Sequence, residues 1–142
     1  MIFGIICKED IGALNLAGRV REWVRAKEYE CLIEDHLGRH LGISHTDPPW
    51  EKADLLVVIG GDGTILRAIW MSAGRQIPIL GVHMGYLGFL TEVTEDEVYV
   101  ALEAVLAGKF VQEKRAMFES TLIREGRTIT SQHVLNDVVI NK

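Results

Sequence analysis

One segment constrains the fold of this chain more than any other. Asp54–Gly60, DLLVVIG, is an apolar run that leads directly into Gly61-Asp62-Gly63-Thr64. A run apolar on both faces reads as a central parallel strand buried under helices on either side. The glycine cluster then breaks it, and Thr64–Ala73 carries the spacing of a helix closed by Gly74. A strand, a tight glycine turn and a helix make the basic unit of an open α/β sheet. In such sheets ligands bind at the carboxyl ends of the strands.

The flanking sequence extends this pattern. Met1–Cys7 reads as a short strand and Ile11–Tyr29 as a helix, with Leu14, Ala17, Val20 and Val24 at three- and four-residue steps. Cys31–Glu34 reads as a weak strand and His36–Trp50 as loop, its Asp47-Pro48-Pro49 unable to continue a helix. Ile77–Val82 is another short strand. Glu95–Ala107 reads as a helix with Thr94 as N-cap and acidic residues in its first turn. Beyond Gly108 the pattern changes: Phe110–Arg124 and Thr128–Asn141 read as long strands around Glu125-Gly126-Arg127. Residues 1–108 therefore form an α/β domain on this reading, and 109–142 a β-hairpin.

Composition narrows the class. The 142 residues carry a net charge of −5 and two cysteines, Cys7 and Cys31. Runs such as Leu55–Ile59 fall far short of the ~20 apolar residues of a membrane span. The amino terminus has no secretory pattern, and the two thiols suit a reducing cytoplasm. The acidic balance disfavours general nucleic-acid binding. Phosphate groups must therefore be held by local devices, such as backbone N–H groups.

The glycine turn supplies such a device. Gly61 and Gly63 let a phosphate approach the backbone, and the helix that follows presents free N–H groups and a positive dipole end. Neither the P-loop nor the G-x-G-x-x-G pattern is present. Asp62, a carboxylate inside an anion-friendly turn, acts as a general base, holds a metal, or bonds its own backbone. In a second glycine-rich segment, Gly81–Leu90, Phe89 either stacks on a base or fills the core together with Leu90. Asn136-Asp137 interrupt an apolar strand, and unpartnered burial there is costly. They either bind a ligand or mark a bend. His36, His40 and His45 read as a solvated loop, because the pattern lacks the cysteines of a structural zinc site. Trp23, Trp50 and Trp70 read as packing residues.

Taken together, Gly60-Gly61-Asp62-Gly63-Thr64, Leu87-Gly88-Phe89-Leu90 and Asn136-Asp137 resemble the motifs of the NAD kinases, over essentially the whole chain. The lipid kinases that share GGDGT continue with a different segment. The resemblance implies ATP-dependent phosphorylation of the adenosine ribose 2′-hydroxyl of NAD to give NADP. It implies Asp62 as general base, with Gly61, Gly63, Thr64 and Arg67 toward nucleotide and phosphate. Phe89, with Leu90, packs at the adenine, and Asn136 and Asp137 bond the dinucleotide. His83 stands where the family usually has Asn, and Asp137 where Glu is commoner. ATP and a divalent cation, Mg²⁺, are the implied co-substrate and cofactor, with no metal-ligating side chain assigned. A chain ending at Lys142 looks like the amino-terminal domain plus the first hairpin of an all-β second domain, in a protein expected to form a dimer or tetramer. Two alternatives accompany this reading: a non-catalytic NAD- or NADP-binding fragment, and a lipid or sphingoid-base kinase.

Overall fold

The computed structural model describes residues 1–43, 48–72, 75–85, 88–135 and 138. The chain divides into two units, Met1–Phe110 and Val111–Lys142. The first contains β1 (Ile2–Cys7), α1 (Ile11–Ala26), β2 (Glu30–Ile33), α2 (Asp35–His40), a 3₁₀ turn (Trp50–Lys52), β3 (Leu55–Gly60), α3 (Asp62–Met71), β4 (Ile79–His83), β5 (Val93–Thr94) and α4 (Val98–Leu106). The five strands form one parallel sheet in the order β2-β1-β3-β4-β5. Chain order reverses between β1 and β3, and the crevice at such a point is where open α/β sheets take their ligands.

Burial explains why β3 is apolar throughout. Every residue of Leu55–Gly60 is buried. Leu55, Val57 and Ile59 join Phe3, Ile5 and Cys7 against α1 and α4, through Ala13, Leu16, Val20, Val98 and Leu102. Leu56 and Val58 join Ile6 on the opposite face, against Trp50, Ile65 and Ala68. Gly4 makes room there, since a Cβ would stand 3.2 Å from the Trp50 ring. Asp10 caps α1 by accepting from the Ala13 N–H at 2.9 Å. That bond and the nearby Lys8 ammonium hold the Asp10 carboxyl below its usual range.

Several boundaries differ from expectation. Helix α1 ends at Ala26, not Tyr29: Glu28 turns to φ 63° and the Tyr29 N–H returns to the Val24 carbonyl. The segment read as loop contains helix α2 and the 3₁₀ turn. Their anchors, Leu37 and Trp50, are the one large apolar side chain that each buries, too few to create a period. Helix α3 begins two residues earlier than expected, at Asp62. Strand β4 is shifted to Ile79–His83. Thr94 belongs to β5, and α4 begins at Val98. The Glu97 carboxylate instead reaches back, accepting from the Thr94 N–H at 3.0 Å and hydroxyl at 2.6 Å. That is one half of a capping box. These bonds keep the Glu97 carboxyl below its usual range.

The second unit holds β6 (Met117–Arg124) and β7 (Arg127–Leu135), antiparallel with a register shift at Leu122/Ile123. Both strands are shorter than expected, and residues 110–116 lie outside β6. Glu125 and Gly126 form the two-residue connection with φ 51° and 74°, the left-handed pair of a type I′ hairpin turn.

Candidate active site

Two loops leave adjacent parallel strands at their carboxyl ends: β3 into α3, and β4 toward β5. Gly60 and His83, the last residues of β3 and β4, are register partners. At Gly60 a Cβ would lie 2.9 Å from Thr64 Cβ and 3.3 Å from Lys8 Cβ, so only glycine fits this crossing. Thr64 is itself buried beneath the turn. Gly61 and Gly63 differ, because a Cβ on either would meet nothing within 4 Å. Their bare backbone borders open space. Gly61 is the N-cap of α3, and no side chain caps that helix. Its first N–H groups and the positive dipole end are thus available to an anion.

Asp62 is half-buried and joins the two loops. Oδ2 accepts from the Phe89 N–H and Oδ1 from the Leu90 N–H, each at 2.9 Å. Of the three readings of Asp62, the one in which it bonds its own turn does not describe these contacts, since the partners lie 27 and 28 residues away. Gly88 permits this approach, since a Cβ there would stand 2.8 Å from Asp62 Cγ. Gly88 N–H donates to Thr91 Oγ1 at 3.2 Å, tightening the same bend. A carboxylate has about four lone-pair positions. Two point to the amides, and among the described residues no further donor meets the other two.

Phe89 does not fill the core: it is 87% exposed, held at its backbone and presented beside the glycine turn. Leu90 is half-buried and packs against the cluster around Ile65 and Val58. His83 is half-buried, and its Nδ1 donates to the Gly85 carbonyl at 3.1 Å. Arg67, one turn into α3, points toward β1 and β2. It donates to the Cys7 carbonyl at 2.7 Å and forms an ion pair with Glu34. Asn136 and Asp137 lie outside the described residues, as do His45, Asp47, Ala73, Gly74 and Leu87.

A further group beside the switch point escaped the sequence reading. Glu34, directly after β2, is buried. It accepts from the Cys7 N–H at 2.9 Å and from Arg67, and stands 3.5 Å from His36 Nε2. His36 is therefore no part of a solvated loop: its side chain is 11% exposed, and Nε2 lies 3.4 Å from Cys7 Sγ. His40 keeps a surface position and contacts Asn15 Oδ1 at 3.2 Å. Burial, aided by the Glu34 charge, pushes the Cys7 thiol up to about 12. Burial pushes Cys31 to about 12 as well. The only signal in the sequence was the acidic pair Glu34-Asp35 closing the short apolar run Cys31–Ile33.

Among the packing residues, Trp50 is buried and Trp23 packs on Tyr99 with ring centroids 6.1 Å apart, whereas Trp70 is exposed. No helix among the described residues is long and apolar enough to cross a membrane.

Comparison with known proteins places this architecture. The chain is 45% identical over 136 residues to an NAD kinase of Geotalea daltonii, covering 94% of this chain and 48% of that protein. It is 47% identical over 131 residues to an NAD kinase of Geobacter sulfurreducens, covering 90% and 46%. The chain thus spans about half the length of the curated relatives it matches. Among solved structures, an NAD kinase from Archaeoglobus fulgidus in complex with ATP is similar at TM-score 0.62 and 26% identity, over 84% of this chain and 43% of that one. The yeast NADH kinase complexed with NADH shares the fold at TM-score 0.77 and 20% identity, over 94% and 46%. A family profile described as the ATP-NAD kinase N-terminal domain matches residues 3–110, the strand–turn–helix of Gly60–Thr64 included. The chain therefore belongs to the NAD kinase family.

Proposed function

We propose that the protein to which this chain belongs transfers the γ-phosphoryl group of ATP to the adenosine ribose 2′-hydroxyl of NAD, giving NADP. The observation that carries the reading is Asp62, held between two glycine-rich loops at the carboxyl ends of β3 and β4, beside an uncapped helix N-terminus. A hydroxyl brought to the open lone pairs of Asp62 loses its proton there as its oxygen attacks the γ-phosphorus in line. ADP leaves from the opposite side. The bare backbone of Gly61 and Gly63 and the first amides of α3 suit the transferring phosphate. Phe89 offers an exposed ring to a base, and His83 lines the same edge. The reading places Asn136 and Asp137 on the dinucleotide. Arg67 acts through its ion pair with Glu34, which fixes α3 against β1 and β2.

Mg²⁺ enters as the counter-ion of the triphosphate. Asp62 is the one carboxylate at the glycine turn, and both its oxygens already accept backbone N–H groups. The cation is therefore held mainly by phosphate oxygens and water. On the same reading, residues 109–142 open a β-rich second domain, the whole protein is a cytoplasmic dimer or tetramer, and it needs neither nucleic acid nor membrane. The antiparallel hairpin after Phe110 supports the domain assignment.

The test is NADP formation from ATP, Mg²⁺ and NAD on the longest chain containing this sequence, with Asp62→Asn beside it. Turnover is expected in the parent. A loss of ~10²–10⁴-fold in kcat is expected in the variant, the usual cost of removing a general base. Transfer to a lipid alcohol in place of NAD, or NAD binding without transfer in a folded two-domain chain, overturns the reading.

A further inference from the structure

Cys7, Glu34 and His36 come from three places: the end of β1, the residue after β2, and the first turn of α2. One ligand-type atom from each lies within 4.8 Å of the other two. Cys7 Sγ and His36 Nε2 are 3.4 Å apart, and His36 Nε2 and Glu34 Oε2 are 3.5 Å apart. A tetrahedral zinc ion, with bonds of ~2.3 Å to sulfur and ~2.0–2.2 Å to nitrogen and oxygen, spaces an S,N pair by about 3.6 Å and an N,O pair by about 3.4 Å. The observed separations fit those edges. We propose that Cys7, Glu34 and His36 form a three-ligand site for a divalent, thiolate-tolerant ion of the zinc type.

The surroundings agree with this assignment. His36 Nδ1 faces Glu9 Oε1 at 3.6 Å, and a carboxylate on the far nitrogen is the usual orienting partner of a metal-bound imidazole. The thiolate and Glu34 together balance the two charges of the ion, and Glu34 Oε1 keeps its ion pair with Arg67. A cavity of about 250 Å³, lined in part by Glu34, Asp35 and His36, gives room for a water at the fourth position. The ligand chemistry, one thiolate with one imidazole and one carboxylate, favours zinc over magnesium or calcium.

Loading rearranges two contacts. His36 Nε2, now 3.1 Å from the Cys7 carbonyl, turns its lone pair to the ion while Nδ1–H points to Glu9. Arg67 cedes its 3.2 Å contact with Glu34 Oε2 and keeps Oε1 and the Cys7 carbonyl. As the sulfur–metal bond forms the S–H bond breaks, and one proton leaves for each ion bound.

Cobalt(II) is the probe. The chain is stripped with EDTA and titrated with Co²⁺, and the absorption spectrum is followed. We expect saturation at one ion per chain, with a sulfur-to-metal charge-transfer band and intense tetrahedral bands, all displaced by Zn²⁺. Cys7→Ser removes the charge-transfer band, and His36→Gln weakens binding by at least ~100-fold. Glu9→Gln, which touches only the orienting carboxylate, weakens it ~10–100-fold. Cys31→Ser leaves binding unchanged. Circular dichroism checks each fold, and the exposed Glu9 keeps the test open if the buried variants unfold. Absence of the charge-transfer band, its survival in folded Cys7→Ser, or its loss in Cys31→Ser overturns the proposal. Unchanged affinity in Glu9→Gln together with folded His36→Gln overturns it equally.

Discussion

Replacing Asp62 by Asn tests the clasp between the two glycine-rich loops directly. In the native side chain each carboxylate oxygen accepts one backbone N–H at 2.9 Å. A hydrogen bond to a charged group contributes about 1.5–3 kcal/mol. The Phe89 amide belongs to an exposed residue, so water can replace its partner, and the low end applies there. The Leu90 amide is partly buried, and its loss sits higher in the range. Asparagine keeps one acceptor oxygen and turns an NH₂ group toward the other amide, setting donor against donor. The local cost is therefore about 2–4 kcal/mol, concentrated on one of the two bonds. Amide hydrogen exchange followed by NMR reads it. Phe89 and Leu90 are protected in the parent. In the variant at least one of them exchanges ~30-fold faster or more, because each 1.4 kcal/mol of local opening is tenfold. Strand β3 amides, buried on both faces, keep their protection. Equal exchange of Phe89 and Leu90 in parent and variant would refute the clasp. The same experiment separates lost proton transfer from a displaced loop when the variant's activity is measured.

Three other perturbations carry defined outcomes. Gly88→Ala places a Cβ 2.8 Å from Asp62 Cγ, and overpacking of this kind costs about 1–3 kcal/mol; a thermal melt unchanged within error contradicts that contact. Glu34→Ala leaves the buried Cys7 N–H and Arg67 without their partner. Breaking a buried pair costs 3–5 kcal/mol, discounted here to about 2–3 because Arg67 is over a third exposed. Urea unfolding in EDTA measures it, with Glu34→Gln expected to lose about half as much. Finally, in EDTA the Cys7 and Cys31 thiols lie at about 12 when folded, against an ordinary 9.0. The folded state then binds more protons than the unfolded one at alkaline pH. Stability is accordingly full below pH 9 and falls between about pH 9 and 12. Native thiols should react slowly with a disulfide reagent at pH 8, and quickly in denaturant. A stability flat from pH 9 to 11, or prompt native labelling of both thiols, contradicts the burial argument.

The strand–turn–helix at β3 and α3 was legible because its determinants are consecutive. An apolar run needs burial on both faces, and Gly60 needs no Cβ whatever else the chain does. The hairpin turn at Glu125-Gly126 is equally local, since its left-handed φ pair suits glycine and a two-residue loop sets the register. Helix α2 was not legible: one buried leucine in six residues leaves no period to read, and its burial depends on the body of the domain. The Thr94 cap was misplaced because Thr94 is drawn into β5 by pairing with β4, leaving Glu97 to reach back to it.

The site divides in the same way. The sequence by itself determined that a carboxylate stands in a glycine turn at the end of a buried strand, with bare backbone beside it. Only the tertiary structure decided where that carboxylate points. Asp62 meets amides 27 and 28 residues away because parallel strands deliver successive loops to one edge of the sheet. The same topology gathers Cys7, Glu34, His36 and Arg67, up to 60 residues apart, at the neighbouring strand ends. Residue spacing along a chain encodes local periods of two or 3.6. It carries no record of which strand ends become neighbours, since that follows from strand order, and strand order is settled by packing the whole sheet.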